Sequence, residues 1–211
     1  MANRSAHTAD TQAKISPDAA LQELLDGNKR FLDQTPAERS LIEQVGQTAT
    51  GQYPFACVLS CIDSRIPTEM IFDQGVGDLF NARIAGNFVN DDILGSMEFA
   101  CKLAGARVIM VLGHTSCGGV KGACDDAKLG KLTQMLAKIK PAVAAVETPA
   151  GEDRSSKNKA FVNRVAEENV RIAVKDVTGG SEVLREMADN GEIKVVGAMY
   201  DVATGKVTMV D

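Results

Sequence analysis

The chain has 211 residues, a formal net charge of −5, and 45% hydrophobic against 24% charged residues. These values describe one globular domain with a sizeable core. They argue against nucleic acid as a partner, which would call for a basic face, and no apolar run is long enough to span a membrane.

The first residues, Met1 to His7, lack the apolar stretch of a signal peptide, so the expected location is cytoplasmic. Five cysteines in a reducing compartment read as thiols or metal ligands rather than disulfides. Residues 1–15 are polar and expected to be loose. Ser16-Pro17 pairs an N-cap with proline in the first helical turn. Leu21, Leu24, Leu25, Phe31 and Leu32 then form a helical stripe to about Asp33. This helix precedes the first core strand. Residues 1–35 are therefore expected to be a tail and helical arm outside the main body, with residues 36–211 as a single α/β domain.

A buried strand is predicted over 55–60, a short helix from Pro67 to Phe72, and a second strand over 78–84. Asp91 and Asp92 suit the start of the next helix through its dipole. Its apolar face is Ile93, Leu94, Met97, Cys101 and Ala104, and Gly105 ends it. The third strand spans 106–112. Helical patterns follow near 129–139 and 157–177, with Gly179-Gly180 breaking the second, and another covers 181–189. Lys194 to Tyr200 reads as a fourth strand, which Ala203-Thr204-Gly205 turns into an antiparallel fifth at 206–210. The alternation predicts an α/β fold whose mostly parallel central sheet has about four parallel strands, an antiparallel C-terminal edge strand, and helices on its flanks.

Two turns hold most of the chemistry. Gly113-His114-Thr115-Ser116-Cys117-Gly118-Gly119 leaves the third strand, and Cys61-Ile62-Asp63-Ser64-Arg65 leaves the first. In open α/β sheets, ligands bind beyond the carboxyl ends of the strands where strand order reverses. If the first and third strands are neighbours, with the second outside the first, both turns meet at such a reversal. Cys61, His114 and Cys117 can then hold one zinc ion per chain and leave one tetrahedral position open, as catalytic zinc sites do. Each residue alone fits a blander role as a small core thiol or a satisfied turn histidine. Three ligand types converging on one crevice favour the metal.

Two other motifs fail. Gly113 to Gly118 has the glycine spacing of a phosphate-binding loop, but Gly119 stands where its lysine must be. A Cys61 nucleophile clamped by Arg65 lacks a base, since His7 in the polar tail is the only histidine besides His114. Asp63 and Arg65 are either a surface ion pair of little worth or a working pair. In the second case the arginine grips the carboxylate bidentately. The carboxylate then either orients an attacking water or swings onto the metal and closes the fourth position.

Cys61-Ile62-Asp63-Ser64-Arg65 and, with 52 residues between Cys61 and His114, His114-Thr115-Ser116-Cys117-Gly118-Gly119 together resemble the β-class carbonic anhydrases. Ligand order, the Asp–Arg pair, the Gly-Gly after the last ligand and the late Val196-Gly197-Ala198-Met199-Tyr200 run agree, and the likeness covers about 17–211. It implies zinc-dependent, reversible hydration of carbon dioxide to bicarbonate and a proton. It also implies an obligate homodimer, often paired into a dimer of dimers, with its sites at the dimer interface. Asp63 and Arg65 would be the catalytic pair, with Asp63 a fourth zinc ligand in a closed state. Gln52, in a plant-type Gln52-Tyr53-Pro54-Phe55 motif, would donate to substrate. Phe80 and Ala85 would line the carbon dioxide pocket, the Gly118 N–H would contact bound substrate, and Glu98 would stand near the site. Two positions depart from the family. Val58 replaces the tryptophan of a bacterial subgroup's non-catalytic bicarbonate site, although Arg83 matches its arginine, and Phe99 replaces a tyrosine. Hydrolysis of carbonyl sulfide or carbon disulfide is the nearest alternative on this scaffold. A non-catalytic, zinc-stabilised bicarbonate sensor is the alternative from another class.

Overall fold

The computed structural model describes residues 4–211. Its strands are β1 (Ala56–Ser60), β2 (Leu79–Arg83), β3 (Val108–His114), β4 (Lys194–Tyr200) and β5 (Val207–Val210). They form one sheet in the order β2-β1-β3-β4-β5. The first four pair in parallel, and β5 runs antiparallel to β4. This is the predicted sheet, with the strand order that brings the two turns to a reversal.

β1 and β3 are buried along their whole length. Helices cover both faces of the sheet, so these strands read as unbroken apolar runs rather than alternating ones. Val58, Met110, Leu112 and Ala198 face one core. Leu59, Ile109 and Val111 face the other, with Met97, Leu184 and Met187 from the helices above.

The helices are α1 (Ala9–Ala13), α2 (Pro17–Leu32), α3 (Leu41–Thr48), α4 (Thr68–Ile71), α5 (Asp91–Glu98), α6 (Gly118–Cys124), α7 (Gly130–Ala137), α8 (Lys140–Ala145), α9 (Lys159–Gly180) and α10 (Glu182–Asp189). A π-helical turn, Phe99–Leu103, continues α5. Among the described residues no helix is long and apolar enough to cross a membrane. Helix α9 runs through Gly179-Gly180 rather than stopping before it, and the break falls at Ser181, which caps α10 by accepting the Leu184 N–H.

The expectation of a loose tail and a detached arm is corrected for residues 4–35, while residues 1–3 lie outside the described residues. Ala20 and Leu24 of α2 are fully buried in the first core. Asn28, also buried, donates from Nδ2 to Ile71 O and Gly205 O and accepts the Val207 N–H on Oδ1. The asparagine thus supplies the backbone partners that β5 lacks at its start, and it fastens α2 to the sheet. Upstream, Thr8 and Thr11 form a capping box on α1. Gln12 reaches inward to donate to Pro54 O and Ala104 O, both at 2.7 Å. Asp73, buried and with φ of +44°, gathers Arg30, Arg39 and the Ala37 N–H. Burial alone would raise its pKa, but the hydrogen bonds from Arg30, Ala37 and Arg39 outweigh that and hold it below the ordinary carboxylate range.

Helix α9 positions the functional end of the sheet. Phe161, Val162, Val165 and Ala166 from its first half join one core, and Val170, Ala173 and Val177 from its second half join the other. It passes close over β3 and β4 because Gly113 and Gly197 lack side chains there. A Cβ on Gly113 would lie 2.5 Å from Val170 Cγ2, and one on Gly197 2.7 Å from Val170 Cγ1.

Candidate metal centre

β1 and β3 are adjacent in register, Ser60 opposite Leu112, so the next residue of one strand and the last of the other emerge side by side. Cys61 follows β1, His114 ends β3, and Cys117 caps the N-terminus of α6. All three are buried, and their ligand atoms lie within 4.8 Å of one another. The Cys61 and Cys117 sulfurs are 4.0 Å apart. Two thiolates on a tetrahedral zinc, each with a bond of about 2.3 Å, stand about 3.8 Å apart.

The histidine is set for a ligand. Its Nδ1 lies 3.0 Å from Thr115 O. A carbonyl only accepts, so Nδ1 carries the proton and Nε2 presents a lone pair. That Nε2 is buried without a hydrogen-bond partner, a cost a metal ion would remove. The thiols are unequal. A hydrogen bond from Cys117 does most to lower the pKa of Cys61; burial opposes it, and the backbone N–H groups of Gly86 and Asp63 add to the lowering. Cys117 is pushed up by giving that hydrogen bond and by burial.

Asp63 and Arg65 form the bidentate pair that the spacing allowed. Arg65 Nε donates to Oδ1 at 2.9 Å, Nη2 to Oδ2 at 2.7 Å, and the Arg65 backbone N–H also reaches Oδ1. The arginine holds this carboxyl well below the usual carboxylate range against a smaller desolvation cost. Oδ2 stands 3.9 Å from His114 Nε2, so the carboxylate is turned to the arginine while bordering the cluster.

Residues 56–207 match the carbonic anhydrase family. The chain belongs to that family. It is 33% identical over 202 residues to carbonic anhydrase 2 of Mycobacterium tuberculosis, covering 93% of this chain and 94% of that protein. Among solved structures, the β-carbonic anhydrase of the fungal pathogen Aspergillus fumigatus matches with a TM-score of 0.68 at 28% identity, over 92% of this chain and 90% of that one. A tetrameric β-carbonic anhydrase from the filamentous ascomycete Sordaria macrospora matches with a TM-score of 0.67 at 25% identity, over 80% and 89%.

In this carbonic anhydrase the residues expected to line the pocket divide into two groups. Ala85 and Gly118 lie beside the cluster. Ala85 precedes Gly86, whose N–H donates to Cys61 Sγ at 3.3 Å, and Gly118 opens α6 directly after Cys117. A Cβ on Gly119 would come within 3.2 Å of Gly86 N, so this glycine lets α6 close against the 85–86 turn. Gln52 and Phe80 are elsewhere in the chain. Gln52 is exposed and precedes β1, at the far end of the strand from Cys61. Phe80 pairs with Cys57, four residues before Cys61, or about 13 Å upstream along the sheet. There it packs edge-on against Phe99 at 6.0 Å between ring centroids. Glu98 also points away, accepting the Ser181 hydroxyl at 2.6 Å.

Three supports went unseen in the sequence. Arg83, noted only for a bicarbonate site, donates from Nε to Cys61 O and from Nη2 to Asp63 O, and so braces the first turn. Asn163 accepts the Ser116 N–H, and Asn169 donates to Gly86 O. All three bond to backbone, a kind of contact that leaves no spacing motif to find.

Proposed function

We propose that this carbonic anhydrase hydrates carbon dioxide reversibly to bicarbonate and a proton, using one zinc ion per chain held by Cys61, His114 and Cys117. The observation that carries it is the buried, unpartnered His114 Nε2 beside two cysteine sulfurs, with the Asp63–Arg65 pair at its border. Bound there, zinc supplies a strong nucleophile from water at neutral pH.

The protein's own groups do the rest. Arg65 keeps Asp63 ionised and aimed, so the carboxylate accepts a hydrogen bond from the attacking water and orients its lone pair toward the substrate carbon. Without Arg65 the same carboxylate is free to swing onto the metal as a fourth ligand. The Gly118 N–H, on the first turn of α6, donates to the oxygen that gains charge. Ala85 gives the substrate an apolar wall. Gln52 and Phe80 complete the pocket from a second copy of the chain, a reading supported by their distance from the cluster within one chain. The exposed apolar side chains of Ile42, Met70, Phe99 and Leu103 support an interface as well. The assembly proposed is a homodimer or a dimer of dimers, and free cysteines throughout suit a cytoplasmic location.

Carbon dioxide hydration, measured beside carbonyl sulfide and carbon disulfide hydrolysis on zinc-loaded protein, tests the reading. Hydration dominating supports it. Faster turnover of either sulfur compound replaces the substrate. No turnover of any, with zinc bound, favours a bicarbonate sensor.

A further inference from the structure

Helix α9 crosses the sheet at its carboxyl end, and two of its asparagines face the turns that hold the metal ligands. Asparagine is a poor helix former, because its amide competes for backbone partners, so two such residues within one helix call for a local reason. Asn163 Oδ1 accepts the Ser116 N–H at 3.0 Å. Ser116 has φ of +58°, a left-handed conformation that is costly for a non-glycine residue, and it joins His114 to Cys117. Asn169, 3% exposed, donates from Nδ2 to Gly86 O at 2.8 Å.

Gly86 belongs to a tight turn. Asn87 N donates to Ile84 O, and Gly86 has φ of +81°, as the third residue of a type II turn requires. The N–H of its central peptide is the one that donates to Cys61 Sγ. A glycine has the widest backbone freedom of any residue, so the direction of that N–H depends on what holds the turn.

We infer that Asn163 and Asn169 are positioning residues for the metal centre, through which α9 sets the His114–Cys117 turn and the Gly86 N–H that meets the Cys61 sulfur. This rests on the zinc reading above. The two amides work in opposite senses, since the Ser116 N–H needs an acceptor and the Gly86 carbonyl needs a donor. Aspartate preserves an acceptor and removes a donor, so the same substitution has different consequences at the two sites.

The test is zinc affinity of the full chain by competition with a chromophoric chelator. It is read with the sulfur-to-cobalt charge-transfer bands of cobalt-substituted protein and the Tm of metal-free protein. Asn163→Ala, Asn169→Ala and Asn169→Asp are expected to weaken zinc binding roughly 10- to 100-fold, as loss of a partner behind metal ligands does, and to shift the cobalt bands. Asn163→Asp retains affinity and spectrum. Equal behaviour of Asn163→Asp and Asn163→Ala overturns the inference, and this pair decides even if the Asn169 variants fail to fold. So does unmodified affinity and spectrum in the Asn169 variants, or a fall in metal-free Tm with no change in either metal readout. Failure of the zinc reading itself is distinct: the unmodified chain then binds no zinc and shows no charge-transfer bands.

Discussion

The two ends of β1 behave differently. At its carboxyl end, Cys61, His114 and Cys117 come together within one chain, buried and braced by Arg83, Asn163 and Asn169. At its amino end, Gln52 stands exposed, and Phe80 on the neighbouring strand lies level with Cys57. One chain is therefore sufficient to build the ligand set but not the proposed pocket. Metal binding and turnover should separate on that line.

The most severe break is at the ligands. Cys61→Ser, His114→Ala and Cys117→Ser should each abolish zinc binding and activity, because a three-ligand open site has none to spare. Elemental analysis of the purified variants decides it, and full occupancy in all three would sink the site. Arg65→Ala comes next. Metal stays bound while hydration collapses, since Asp63 loses the bidentate grip that keeps it off the metal. Near-normal turnover would reduce the pair to a surface contact.

Mixing sharpens the contrast between the two ends. Asp63→Asn damages the ligand end and Gln52→Ala the opposite end. If the pocket is shared, refolding the two variants together regenerates intact sites. Random two-fold pairing restores roughly a quarter of them. No recovery above the sum of the separate variants would confine the whole site to one chain.

Away from both ends, Asp73→Asn should cost about 2 kcal/mol, because Arg39 then loses its carboxylate partner and Arg30 keeps only Glu23. The sign of the pH effect follows from the lowered pKa of Asp73. Its contribution is present above the unfolded carboxyl value of about 3.9 and is lost as pH falls through the lower folded value. Urea unfolding between pH 3 and 7 should show this slope, and Asp73→Asn should flatten it.

The smallest effect concerns the proton released at each turnover. His7 packs on Phe55 with ring centroids 5.6 Å apart, near the amino end of β1 and far from His114. Within one chain no histidine relay therefore stands at the site. Imidazole-type buffers should raise the maximal rate while leaving kcat/KM nearly unchanged, in hydration assays at fixed pH and ionic strength. A flat response means that another group carries the proton.

The sheet and the ligand turns were legible because both are local. Buried parallel strands are unbroken apolar runs, and Cys61, His114 and Cys117 sit where such runs stop. The docking of α2 was not legible. It depends on the Asn28 side chain meeting backbone 43 to 179 residues away, and a polar side chain turned inward looks like any other polar residue in sequence. Helices α6 and α8 were missed because they are short, with apolar faces shared among several neighbours. The place of Gln52 and Phe80 could not be read from motif agreement alone. A motif reports which residues matter and is silent on which copy of the chain brings them.

The bond from Val207 to Asn28 also constrains the order of synthesis. Helix α2 is made 179 positions before its anchor on β5. Until then the buried side of α2, with Ala20 and Leu24, has no finished surface to cover. The nascent chain carries an amphipathic helix in waiting while those 179 positions are made. At roughly 5–20 residues per second that wait lasts on the order of ten to forty seconds. A chain stalled before Val207 would still present that helix to holdase chaperones.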